Sequence, residues 1–175
     1  MYPFIKLATT LLKAKNRSKL KLDEPSVLSC RAGLSDIDLF AELNNARYLN
    51  YMELGRWDFS SRVGFLKLMK QNNWAVAVGG TSMRYRKRIP FLQKFTLTTQ
   101  LLCHDGRWFY FLQETHIAEK ICSSALIKLG TTSKQGLVPA IDVLKAFGEE
   151  DFNPEIPPWV KAWIEAESLR PWPQS

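Results

Sequence analysis

Histidine and cysteine are scarce in this chain. Its 175 residues include two histidines, His104 and His116, and three cysteines, Cys30, Cys103 and Cys122. Three thiols cannot all pair within one chain, and none lies in a CxxC arrangement. A disulfide scaffold is therefore excluded, and a reduced, cytoplasmic chain is expected. The histidines do not form an HxxxH spacing, so no metal is expected. There is no GxSxG elbow, which argues against a Ser-His-Asp hydrolase. His104, beside Asp105-Gly106, and His116 are weak candidates for nucleophilic catalysis. No apolar run approaches the roughly 20 residues that span a bilayer. The apolar start, Met1 to Leu12, is interrupted by Lys6 and followed by its cations, the reverse of a secretory signal.

Hydrophobic residues make up 46% of the chain and aromatics 12%. That is enough for a real core, and the length fits one domain with short tails. The net charge of +7 is unevenly placed. Residues 1 to 21 carry Lys6, Lys13, Lys15, Arg17, Lys19 and Lys21 and no acid. Removing these six from the 24 basic residues leaves 18 against 17 acidic ones, so the body is nearly neutral. The arm reads as a surface helix with a solvated basic end. The sharper alternative is a peripheral membrane contact, apolar residues dipping in and lysines meeting anionic lipid. Interleaved aromatics are missing from the arm, so no nucleic-acid partner is expected.

Asp23-Glu24-Pro25 separates this arm, residues 1–23, from a body over 24–135. Ser26 to Leu34 reads as a strand, and Ser35 to Asn45 as a polar loop. Tyr48, Met52, Gly55, Phe59 and Val63 recur at helical spacing. Asn44 or Asn45 is a suitable N-cap, and Gly64 a stop. A shorter helix is expected over Phe65 to Gln71. Trp74 to Ser133 reads as consecutive strands. Phe95, Leu97, Thr99 and Leu101 form one face, as do Ile121, Ser123, Ala125, Ile127 and Leu129. Met83, Tyr85, Lys87 and Ile89 alternate with Ser82, Arg84, Arg86 and Arg88. Gly79-Gly80 suggests a bulge. Asp105-Gly106 signals a two-residue hairpin, and Ala118-Glu119-Lys120 a second turn. Residues 136–175 form a helical extension, with helices over Pro139 to Phe147 and Trp159 to Leu169. One long helix followed by consecutive antiparallel strands is α+β. The helix needs cover on several sides, which a strongly curved sheet supplies.

The run from Asp36-Ile37-Asp38 through Asn44-Asn45-Ala46-Arg47-Tyr48-Leu49 resembles the DxDxxxHxNNxxYL signature of 4-hydroxybenzoyl-CoA-thioesterase-like hotdog proteins. The likeness continues through Glu53-Leu54-Gly55-Arg56, Met83-Arg84-Tyr85-Arg86-Lys87 and Trp108-Phe109-Tyr110. It covers about residues 24 to 135 and is similar to the thioesterase superfamily member branch, basic apolar N-terminal segment included. The resemblance implies a hotdog fold and hydrolysis of an acyl-CoA or acyl-carrier thioester, without a cofactor. It implies that Asp38 is the nucleophile or general base, and that helix-start N–H groups near Asn45 hold the oxyanion.

Elementary chemistry agrees. A thioester needs a carboxylate to activate water or attack, and donors for the developing oxyanion. A helix N-terminus supplies unpaired N–H groups and a favourable dipole. Asp36 is expected to be structural. Asn44 shapes the oxyanion site, and Tyr48 packs beside the substrate. Glu53 is a second acid candidate, unless Arg56 or Arg47 merely pairs with it. Arg84 and Arg86, with Arg88, suit coenzyme A phosphates, or else form a solvated strand face. The histidine of the signature is replaced here by Glu42, which has no neutral donor at pH 7 and reads as a solvated loop residue. That replacement keeps a non-catalytic acyl-binding or interaction protein open as the alternative. Hotdog relatives usually dimerise, so a homodimer or tetramer is expected.

Overall fold

A computed structural model describes residues 4–171. Helix α1 (Phe4–Lys15) precedes β1 (Ser26–Arg31), a short 3₁₀ turn (Leu34–Asp36) and the long α2 (Asn45–Val63). Next come α3 (Phe65–Asn72), β2 (Ala75–Tyr85), β3 (Lys94–His104), β4 (Phe109–Ile117), β5 (Lys120–Ser133) and β6 (Gly136–Val138). Helices α4 (Ala140–Phe147) and α5 (Pro158–Leu169) complete the chain. One antiparallel sheet runs in the order β1-β3-β4-β5-β2, with β6 added beside β5. The sheet curves around α2, the α+β hotdog arrangement. No described helix is long and apolar enough to cross a membrane.

Helix α2 forms where its caps place it. The Asn44 side chain accepts the Ala46 N–H at 2.9 Å, and Gly64 ends the helix in the left-handed region at φ 90°. Its buried residues point to several sides, because the sheet lies over one flank and α1 over another. Tyr51 meets Phe95 edge-on at 5.1 Å, and Phe59 meets Phe111 at 5.5 Å. Gly55 marks the closest approach to the sheet. A Cβ there would stand within 3.0 Å of Leu97 and Gln113 and nearer still to Thr99, so only glycine lets the helix lie so low.

Beneath that crossing the sheet is polar. Buried Gln113 donates from Nε2 to the Met52 carbonyl at 2.7 Å and to Thr99 Oγ1 at 2.8 Å. Its Oε1 accepts from Arg56 at 2.6 Å. Every hydrogen-bonding group of this amide then has a partner, which is the condition for burying it cheaply.

Three expectations are corrected. Residues 136–138 are not part of a helical extension but a strand, because Thr131 to Ser133 still offer an edge to pair. The Asp105-Gly106 hairpin is not a two-residue turn. Asp105 Oδ1 accepts the N–H of both Arg107 and Trp108, and these two bonds stabilise a four-residue loop, 105–108. The alternation through Arg88 does not persist, since β2 ends at Tyr85 and Arg86 and Arg88 lie beyond it. The bulge at Gly79-Gly80 is present as a register shift between Val78 and Gly80.

Candidate functional site

The loop between β1 and α2 is tied at both ends. Asp36 is buried and receives the Tyr51 hydroxyl at 2.7 Å, the Gly33 N–H at 2.9 Å and Lys6 at 2.5 Å. Burial alone would raise its pKa. The Lys6, Tyr51 and Gly33 donors outweigh that and hold the carboxyl below its ordinary range. Burial, reinforced by this carboxylate, pushes the Tyr51 hydroxyl up. Asp36 is thus a structural clasp between α1, the loop and α2. Asp36→Asn should cost about 2 kcal/mol in melts near neutral pH, the scale of a hydrogen bond to a charged group. A carboxylate whose native pKa is depressed stabilises fully above its unfolded pKa. That stability is lost as pH falls through the native value. The gap between wild type and variant should therefore close in acid; a gap constant with pH would contradict the clasp.

Asp38 is placed differently. It is half-buried, and its Oδ1 accepts the Phe40 N–H at 2.9 Å and, more weakly, the Glu42 N–H at 3.5 Å. It takes part in no ion pair among the described residues. Glu42 is not a solvated loop residue. It is half-buried and pairs with Arg88 at 3.2 Å, although its Oε2 lacks an aligned hydrogen-bond donor. The Asn45 N–H, first of α2, has no intrahelical carbonyl to meet. Tyr85, at the end of β2, donates to the Asn45 carbonyl at 3.3 Å and meets Tyr48 edge-on at 5.2 Å. Tyr48 is buried, which pushes its hydroxyl up to about 12. Asn44, Asn45, Tyr48 and Tyr85 therefore gather at one end of α2, joined to the Asp38 loop.

Other sequence candidates stand apart from that end. Glu53 lies about 12 Å further along the helix axis. Its Oε1 accepts from Trp57 at 3.4 Å. It lines a cavity of about 200 Å³ with Arg56, Trp57, Met69, Val76 and Val78, beside β2. Arg84 lines a groove of about 450 Å³ on the outer face of the sheet, between Leu112, Glu114, Trp159 and Trp163. Alternation along β2 sets it on the face opposite Tyr85. Arg86 is exposed just past the strand. A smaller apolar void of about 40 Å³ sits between Val63, Phe111, Val143 and Phe147. Lys6, Asp36, Arg47 and Tyr51 border a fourth, of about 10 Å³. Asp38 lines none of these four.

The histidines do structural work. Gly106 N–H donates to His104 Nδ1 at 3.1 Å, so the ring proton sits on Nε2 and goes to the Phe152 carbonyl at 2.9 Å. His116 lies 3.8 Å from Glu114. Burial pushes the Cys30 thiol up to about 12, so it is protonated at neutral pH and a poor nucleophile. No group of three His, Cys, Asp or Glu among the described residues gathers for a metal.

Sequence reasoning missed Asp58. It is fully buried, accepts from Arg17 at 2.9 and 3.0 Å, lies 3.5 Å from Arg62, and accepts the Ser26 hydroxyl. Its spacing from Leu54, Tyr51 and Arg62, at helical intervals on a buried flank, was the available signal. Lys6 and Arg17 of the basic arm are thus committed to carboxylates of the body.

A curved sheet around one long helix, with a DxD loop at the helix start, defines a hotdog protein of the thioesterase type. The family model of the thioesterase-like superfamily matches residues 32–164, and the chain belongs to that family. It is similar to Protein THEM6 of Drosophila melanogaster, 27% identical over 154 residues, covering 86% of this chain and 78% of that one. It is also similar to the long-chain acyl-CoA thioesterase FadM of Escherichia coli (strain K12). There the identity is 31% over 71 residues, covering 41% of this chain and 54% of that one. Among solved structures, YbaW Probable Thioesterase from Escherichia coli superposes with a TM-score of 0.65 at 23% identity, over 71% of this chain and 96% of that one. SAV2348 from Staphylococcus aureus, in complex with CoA, reaches 0.62 at 11% identity, over 80% and 92%. At such identities the structural likeness shows the fold. Family membership supports thioester hydrolysis as the class of reaction.

Proposed function

We propose that this protein hydrolyses acyl-CoA thioesters, or the same acyl thioester on a carrier protein. The observation that carries the reading is Asp38, a half-buried carboxylate in no ion pair among the described residues, on a loop that ends at the α2 N-terminus. Asp38 serves as nucleophile or general base toward the thioester carbon. The Asn45 N–H and the helix dipole take the developing oxyanion, with Asn44 fixing the first turn. Tyr48 borders the acyl group, and Arg86, exposed just past β2, is a cation for coenzyme A phosphates, whereas Arg84 lies on the opposite sheet face. Glu53, about 12 Å further along α2, is the alternative acid should Asp38 not act. No cofactor enters the reaction. The long-chain acyl-CoA substrate in the name of the Escherichia coli relative supports an acyl-CoA here.

The reading includes a homodimer. At one sheet edge, Arg17 already occupies the Val27 carbonyl of β1 at 2.8 Å. At the other, β2 is largely exposed, with Val78 and Tyr85 in solvent. An open edge invites a second copy, and a two-fold pairing of β2 strands closes it. Sedimentation at micromolar concentration should give a dimer; a monomer would refute this assembly.

Glu42 in the histidine position, paired with Arg88, favours one rival, an acyl-binding protein without turnover. Thiol release from purified protein with acyl-CoAs of graded chain length decides between them. Saturable binding of every acyl-CoA and carrier thioester without release would leave the binding protein standing.

A further inference from the structure

Apolar side chains in solvent are concentrated at one end of the molecule. Of the fifteen large hydrophobic residues exposed among the described residues, seven lie on four short segments there. Leu39 is 101% exposed and Phe40 81%, at the tip of the loop that carries Asp38. Leu34, 76% exposed, stands on the 3₁₀ turn. Ile5, 82% exposed, and Phe4 stand at the start of α1. Phe91 and Leu92 occupy the turn before β3.

Hydrogen bonds join these segments into one surface. Phe91 N–H donates to the Ala41 carbonyl at 2.8 Å, and Leu92 N–H to the Ala32 carbonyl at 2.9 Å. Lys6 bonds Asp36, which brings the α1 start beside Leu34. Two non-glycine residues within this strip, Ala41 at φ 56° and Leu92 at φ 58°, hold left-handed backbone, a conformation that disfavours larger side chains. The surrounding exposed charges are mainly positive: Arg31 and Lys94 side by side across β1 and β3, then Arg86 and Lys87, with Lys120 beside the acid Glu119 on the turn between β4 and β5. Asp36 is taken by Lys6 and Glu42 by Arg88, while Asp38 accepts the Phe40 N–H of its own loop.

We propose that this end is a docking surface for an anionic lipid bilayer, with Leu39, Phe40, Leu34, Ile5 and Leu92 entering the interface beneath a ring of arginine and lysine. The occupant follows from the chemistry. Apolar tips inside a cationic ring match a leaflet of acyl chains under anionic headgroups. The Phe40, Phe91 and Leu92 N–H groups are already bonded within the protein, so entering a medium without water leaves them satisfied. A second copy of the chain has the open β2 edge instead, whereas these turns offer no strand to pair. Docking sets the Asp38 loop against the membrane, where long acyl chains partition. That use rests on the catalytic reading of Asp38; the docking itself does not.

The test is co-sedimentation of the full chain with vesicles of phosphatidylcholine containing about one quarter phosphatidylglycerol. Wild type should pellet, less so with pure phosphatidylcholine or in high salt. The double variant Leu39→Ser/Phe40→Ser should bind about tenfold more weakly or worse, from lost apolar burial. Both side chains are in solvent, so its circular dichroism should match wild type. Leu169→Ser, on exposed α5, should bind as wild type does. Full binding by the double variant, or no binding by wild type, would overturn the proposal. If wild type ignores vesicles and the double variant changes its sedimentation from dimer to monomer, the surface is an interface between copies and the proposal is likewise overturned.

Discussion

Asp38→Asn is expected to lower kcat for acyl-CoA hydrolysis by about a thousandfold, the middle of the range for a positioned acid or base. That is about 4 kcal/mol of barrier. The melting temperature should stay within about 2 °C of wild type. The two halves of the prediction have separate physical origins. An amide has no basic electron pair to take a proton from water and no useful nucleophile for a thioester carbon. Its Oδ1 still accepts the Phe40 N–H that Asp38 holds at 2.9 Å, so the loop is retained. Rates from thiol release and melts from circular dichroism check both. If hydrolysis survives in Asp38→Asn but is lost in Glu53→Gln, the acid is on the helix, facing the cavity beside β2. If neither variant changes the rate, a carboxylate mechanism at this site is wrong.

Asp58→Ala should be the most damaging single change to stability, about 3 kcal/mol or more. A melting shift of roughly 6 to 12 °C follows for a chain of this size. Asp58 is fully buried and binds two cations at once. Arg62 is itself nearly inaccessible, and without the carboxylate it keeps only the Ser18 carbonyl and hydroxyl. A buried charge without its counter-charge is the costly state. Arg17→Ala should cost less, because the Arg17 side chain is one third exposed and Asp58 retains Arg62 and Ser26. Limited proteolysis near Lys13 and Lys15 should accelerate in both, since Arg17 ties the arm to α2 and β1. A melt of Asp58→Ala within about 1 kcal/mol of wild type would remove this clasp from the account of stability.

Helices and strands were legible because each has a local cause. Asn44 caps α2 and Gly64 ends it, both by the backbone geometry of those residue types. Phe95, Leu97, Thr99 and Leu101 alternate because one side of β3 must face α2. The hotdog arrangement followed from one long helix and consecutive antiparallel strands, and the resemblance of the DxD loop to the thioesterase signature implied a carboxylate at the helix start. Where β2 ends was not legible. Arg84 to Arg88 alternate as a strand would, yet the backbone leaves the sheet at Tyr85, where Arg86 and Lys87 share the Cys122 carbonyl.

By itself, then, the sequence determined the helix ends, the strand faces and the curved α+β architecture, which rest on spacing and capping over a few residues. Asp38 beside Asn45 entered as a candidate through the resemblance of its loop to the thioesterase signature. Only the tertiary structure decided which of the two loop aspartates is consumed. Asp36 is claimed by Lys6 and Tyr51, 30 and 15 residues away, whereas among the described residues Asp38 accepts only from its own loop amides. The same holds for Asp58 and Arg17, 41 residues apart, and for Gln113 beneath Met52, 61 residues apart. Such pairs are set by chain crossings whose cost is loop entropy and whose gain is burial, and neither is written in local spacing.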